Sequence, residues 1–147
     1  MHEILIEKTL DAPLSKVWPL LADFGNLDWY TPAEKVEAIG EGIGQIRRIT
    51  MTGMGDPIDE ILEAIDNEAH SLSYSIPGGV MVDYFVTNTL SANGDKTDLV
   101  LRGTFKEVAM EGLSAEDLIA IMQDNYSGMM DALSAAANKS GAQHEQR

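Results

Sequence analysis

The chain opens on an alternation. In "EILIEKTL", Ile4, Ile6 and Leu10 fall on one side and Glu3, Glu7 and Thr9 on the other, the two-residue period of a half-buried strand. "DAPLSKVWPLLADF" then changes period. Leu14, Val17, Trp18 and Leu21 stand at i, i+3, i+4 and i+7, which predicts an amphipathic helix. Pro19 lies inside it, removing a donor and crowding the preceding turn, so the helix should bend or stay short. "GNLDWYTP" reads as a second short helix or a turn, closed by Pro32.

From Ala33 onward the pattern is repeatedly β. "KVEAIG", "QIRRITM", "SLSYSI", "VDYFVTNTLS" and "TDLVLRGTF" read as strands, and "NGD" at 93–95 is a hairpin turn. "PIDEILEAID" also suits a helix by its spacing, but its neighbours argue for a strand. The period changes for good at Ser114, which with Asp117 three residues on resembles a capping box. Leu118, Met122, Tyr126, Met129 and Leu133 then make one apolar face, on a helix running to about Asn138. A run of strands followed by one long helix predicts an α+β domain, an antiparallel sheet packed on that helix. A long curved sheet on a single helix should also leave a cavity in its middle. One domain is expected over residues 1–139, with a flexible tail over 140–147.

Composition narrows the function classes. With no cysteine, there are no disulfides, no thiol catalysis and no Cys-ligated metal. The first residues lack the basic and apolar regions of a signal peptide, which points to the cytoplasm. No run has the roughly 18 apolar residues of a membrane span, so no stable membrane insertion is expected. Twenty-four acids against 10 bases give a net charge of −14, a field that repels phosphate backbones and excludes nucleic acid as a partner. Monomer and homodimer both fit.

"GEGIGQIRRI" invites a phosphate-loop reading. Gly40, Gly42 and Gly44 do not have the G-x-G-x-x-G spacing, however, and the residues after them form a strand pattern rather than a helix. They read as a turn or bulge. His2, His70 and His144 have no metal or triad spacing, no serine has a G-x-S-x-G setting, and neither a metal nor a cofactor is expected.

The ordered set "DAPLSKVWPLLADFGNLDWYTP", "GIGQIRRI", "DEILEAID", "LSYSI", "VDYFVTNTL" and "YSGMMDAL" resembles the START-like, Bet v 1-like superfamily (SRPBCC). Within it, the match is to small bacterial polyketide cyclase/dehydrase-like proteins. The resemblance covers roughly Glu3 to Ala136 and implies the helix-grip fold: a seven-stranded antiparallel sheet wrapped around a long C-terminal helix, with two short helices after strand 1. Trp18, Trp29, Gly42, Gly44, Arg47, Glu60, Tyr74, Tyr84, Tyr126 and Gly128 match the family's positions. Leu101 stands where many relatives carry tryptophan, which changes the cavity's shape.

The resemblance implies a small hydrophobic or amphipathic ligand, lipid-like or polyketide-like. The ligand-binding candidates are Trp29, Arg47, Glu60, Tyr74, Tyr84, Leu101, Met122, Tyr126 and Met129. Arg47 and Glu60 are also the candidate acid/base pair of a cyclase-type enzyme, because a charged pair facing a cavity can polarise a carbonyl; they equally read as a structural ion pair. The tyrosines read either as ligand-facing donors or as satisfied core residues, and the methionines as adaptable lining or plain core. A cavity-poor interaction module is the third reading. The loops "TGMGDP" and "PGGVM" could serve as a lid or be ordinary hairpin loops.

Overall fold

A computed structural model describes the backbone of residues 1–145 and the side chains of residues 1–139. The expected tail, 140–147, lies outside the described side chains. Seven strands and two helices follow in the order β1 (His2–Leu10), α1 (Leu14–Ala22), β2 (Ala33–Ile39), β3 (Ile46–Met51), β4 (Ile58–Asp66), β5 (Ser71–Ile76), β6 (Tyr84–Asn93), β7 (Lys96–Phe105) and α2 (Ala115–Glu145). All strands join one antiparallel sheet in the order β1-β7-β6-β5-β4-β3-β2. This is the α+β helix-grip fold, with "PIDEILEAID" resolved as strand β4 because both of its edges are paired.

One correction concerns the segment after β1. It contains a single helix, not two. α1 is nine residues long, includes Pro19 and buries Val17, Trp18 and Leu21. The stretch from Phe24 to Tyr30 is a pair of turns, closed by backbone bonds from Asn26 N–H to the Asp23 carbonyl (3.0 Å) and from Tyr30 N–H to the Leu27 carbonyl (2.9 Å). These turns still bury Phe24 and Leu27, so the apolar pattern is used without helix formation.

The glycines of "GEGIG" form the β2–β3 connection. Gly40, Gly42 and Gly44 have φ of 82°, 65° and 93°, a left-handed region costly for any side chain, and so they make a turn between two strands. At the start of α2, the Ser114 hydroxyl accepts from Asp117 N–H at 3.0 Å. α2 is fastened to β1 and the residue after it by polar contacts: Lys8 Nζ donates to Ser127 Oγ (2.9 Å), Asp11 N–H to Ser134 Oγ (3.0 Å) and Asn138 Nδ2 to the Asp11 carbonyl (2.7 Å).

The core lies between the inner face of the sheet and α2. Two rows of cross-strand neighbours define that face. One runs Ile4–Gly103–Val86–Tyr74–Leu62 and the next Ile6–Leu101–Asn88–Leu72–Ile65. From α2, Leu118, Tyr126, Met130, Leu133 and Ala137 are buried against it. Gly128 does not bring the helix close to the sheet. It is exposed, and a Cβ there would meet nothing within 4 Å.

Candidate functional site

Consecutive residues on β3 face consecutive residues on β4, Arg47 opposite Glu60 and Arg48 opposite Asp59. The strand alternation sends one pair outward and the other inward. Outside, Arg48 grips Asp59 at 2.8 and 3.0 Å, and this pairing lowers the Asp59 carboxyl below its ordinary value. Inside, Arg47 is 3% exposed and Glu60 9%. The Arg47 guanidinium donates from Nε to Glu60 Oε1 at 2.8 Å, again from Nη2 to the same oxygen, and from Nη1 to the Phe24 carbonyl at 3.1 Å. Its flat face lies 4.1 Å from the Phe24 ring centre and 5.3 Å from that of Tyr74, a desolvated cation–π setting.

Beside this pair sit three phenols. The Tyr84 and Tyr126 hydroxyls share a buried hydrogen bond of 2.7 Å between β6 and α2. Gly103 makes room for it: a Cβ there would stand 2.7 Å from the Tyr84 ring and hydroxyl. Burial pushes the Tyr74 and Tyr126 phenols well above their ordinary value, and it raises Tyr84 as well. For Tyr74 the Glu60 carboxylate adds to the rise, while Arg47 opposes it. All three therefore stay protonated near neutral pH. They are hydrogen-bonding groups, not bases.

The space between sheet and α2 is nearly filled. A cavity of about 20 Å³ remains, roughly the room for one water. The expectation that a single helix would leave the sheet's middle open is thus corrected: tyrosines, methionines and the Arg47–Glu60 pair are long enough to close it. Of the sequence candidates, Trp29, Arg47, Tyr74, Leu101, Tyr126 and Met129 line this cavity together. Glu60, Tyr84 and Met122 do not. Glu60 is held behind Arg47, Tyr84 behind Tyr126, and Met122 packs at the margin of the core.

The remaining lining is Leu21, Leu72, Asn88, Leu99, Met130 and Leu133. Asn88 is the polar residue missed by sequence reasoning. It is 5% exposed and lines the cavity. The signal was present in "YFVTNTL": Tyr84, Val86, Asn88 and Leu90 share the inward phase of β6, so an amide falls between apolar neighbours. Trp29 supplies an unpartnered group: its indole N–H is buried with no acceptor among the described residues, whereas Trp18 Nε1 donates to Asn67 Oδ1 at 3.1 Å.

A larger surface concavity, about 550 Å³, lies at the β5–β6 loop and is built from residues 75–85 alone. This loop is not a free lid. Val82 N–H bonds the Glu107 carbonyl (2.9 Å), Lys106 N–H the Val82 carbonyl (2.8 Å) and Ala109 N–H the Val80 carbonyl (2.7 Å). "PGGVM" is thereby pinned to the segment after β7.

A seven-stranded sheet gripping a long helix, with a polar corner inside an apolar core, defines a protein of the START-like, Bet v 1-like superfamily. The chain belongs to the family described as polyketide cyclase/dehydrase and lipid transport, which it matches over residues 1–138. It is 36% identical over 92 residues to MLP-like protein 423 of Arabidopsis thaliana, a match covering 56% of this chain and 59% of that protein. The structure is similar to that of XoxI from Bacillus cereus, with a TM-score of 0.78, 27% identity, and coverage of 92% of this chain and 95% of the other. It also resembles norcoclaurine synthase from Thalictrum flavum, solved with dopamine and hydroxybenzaldehyde: TM-score 0.72, 20% identity, and coverage of 94% and 87%. That last likeness shows the fold alone. No helix among the described residues is long and apolar enough to cross a membrane.

Proposed function

We propose that this protein binds a small hydrophobic or amphipathic molecule between the sheet and α2, at the cavity lined by Trp29, Leu101, Tyr126 and Met129. The observation that carries the reading is the buried indole N–H of Trp29, without an acceptor among the described residues, on a mostly apolar wall. A buried donor without an acceptor costs about 1–3 kcal/mol, and a ligand carrying an acceptor removes that cost. The family's description, which includes lipid transport, supports the same class of role.

Ligand sites usually span about 300–1,000 Å³, so this interior must open to accept one. Met129 and Met130 are the groups suited to yield, because an unbranched thioether changes rotamer at little cost. α2 itself is held to β1 and the residue after it at Ser127, Ser134 and Asn138, which favours side-chain movement over helix displacement. The cyclase reading is weaker. Its acid/base pair is Arg47 and Glu60, and these engage each other, with Glu60 off the cavity wall.

Native mass spectrometry of the purified protein tests the binding reading. A small adduct that is lost on denaturation supports it. A bare mass, together with no binding from a panel of neutral apolar compounds, overturns it.

A further inference from the structure

The polar inventory of the cavity names the kind of ligand it takes. Arg47 is the one charged residue in the lining among the described residues. Its charge is already balanced, because Nε and Nη2 both bind Glu60 Oε1 and the two side chains are only 4% and 12% exposed. A carboxylate or phosphate entering here would bring an unbalanced negative charge into a site of low dielectric, where such burial is costly. The groups left for a ligand are neutral. Asn88, 5% exposed and on the cavity wall, carries one acceptor and two donors, and the unpartnered Trp29 indole carries one donor. Asn88 sits in the row Ile6–Leu101–Asn88–Leu72–Ile65, so its amide is the single polar point of an apolar stripe.

We infer that the site selects uncharged apolar molecules bearing a carbonyl or hydroxyl group, with Asn88 as the specificity-determining residue, and rejects carboxylates and phosphates because Glu60 has already neutralised Arg47. The inference rests on the binding reading above. It goes beyond that reading in excluding free fatty acids and other anionic amphiphiles, which apolar burial alone would admit.

Four molecules with one ring system separate the terms: 2-methylnaphthalene, 2-acetonaphthone, 2-naphthol and 2-naphthoate, each titrated calorimetrically against the full chain. The wild type should bind the ketone and the naphthol about fivefold or more tighter than the hydrocarbon, the worth of about one hydrogen bond, and the naphthoate about tenfold or more weaker than the ketone. Asn88→Leu should lower the ketone-to-hydrocarbon ratio, and adding Trp29→Phe, which removes the second donor, should bring it within about twofold of unity. Glu60→Gln should reverse the charge preference, because Arg47 is then unbalanced and the naphthoate supplies its missing partner. Should that variant fold poorly, the wild-type series and Asn88→Leu still decide the matter. Naphthoate binding as tightly as the ketone in the wild type, or a ketone-to-hydrocarbon ratio that Asn88→Leu leaves unchanged, would overturn the inference while leaving the binding reading intact. Failure of all four to bind would overturn both.

Discussion

Arg47 and Glu60 face each other directly across β3 and β4, both nearly buried, and the guanidinium also caps the Phe24 carbonyl. Buried pairs of this kind are asymmetric in their energetics. Removing one partner strands a charge, whereas removing both leaves an apolar site. Glu60→Gln should therefore cost about 3 kcal/mol in urea unfolding. Arg47→Met combined with Glu60→Leu should come within about 1 kcal/mol of the wild type. A double variant at least as damaged as the single one would show that the Phe24 carbonyl and ring contacts, not charge balance, dominate.

The three buried phenols predict a loss of stability in alkali. Each has a folded-state value raised above the ordinary 10.0. Below that value both states are protonated and nothing changes. Above it the unfolded chain releases protons that the folded chain retains, so stability falls as pH rises. The slope should be about 1.4 kcal/mol per pH unit for each phenol. Urea melts from pH 9 upward should show it, and Tyr74→Phe should lessen it by the share of one phenol. An unchanged slope in that variant would contradict the assignment of Tyr74.

Gly103 is required by its neighbour rather than by its own backbone. An added Cβ would stand 2.7 Å from Tyr84 Cε1 and Oη, and that hydroxyl is tied to Tyr126. Gly103→Ala should cost about 1–3 kcal/mol through displacement of the Tyr84 ring. Two-dimensional NMR should place the largest shifts at Tyr84 and Tyr126. Shifts confined to β7 would mean the sheet, not the phenol pair, absorbs the clash.

The fold was legible because its signals are periodic. Strands β1, β6 and β7 keep their two-residue alternation, and α2 shows the stripe of Leu118, Tyr126 and Leu133 read from spacing. The segment 24–31 misled because Leu27 and Trp29 carry helix-like apolar content, yet their backbone closes as turns. The site was only half legible. The inward phase of Arg47, Tyr74 and Leu101 follows from alternation, and so did that of Asn88, but an amide at an apolar phase drew no notice. Pairing distance and cavity volume depend on how side chains from distant strands meet, which no local pattern encodes. The closure of the interior by Met130 and the phenols is of that kind.

The central claim is that the ligand enters the interior between sheet and α2, not the surface concavity at residues 75–85. NMR titration with 2-acetonaphthone locates it directly. The account predicts saturable shifts of the Trp29 indole N–H and the Met129 and Met130 methyl groups, with the Gly78 and Gly79 amides unmoved. Saturable shifts confined to Gly78, Gly79 and Phe85, with Trp29 and the methionines silent, would contradict it.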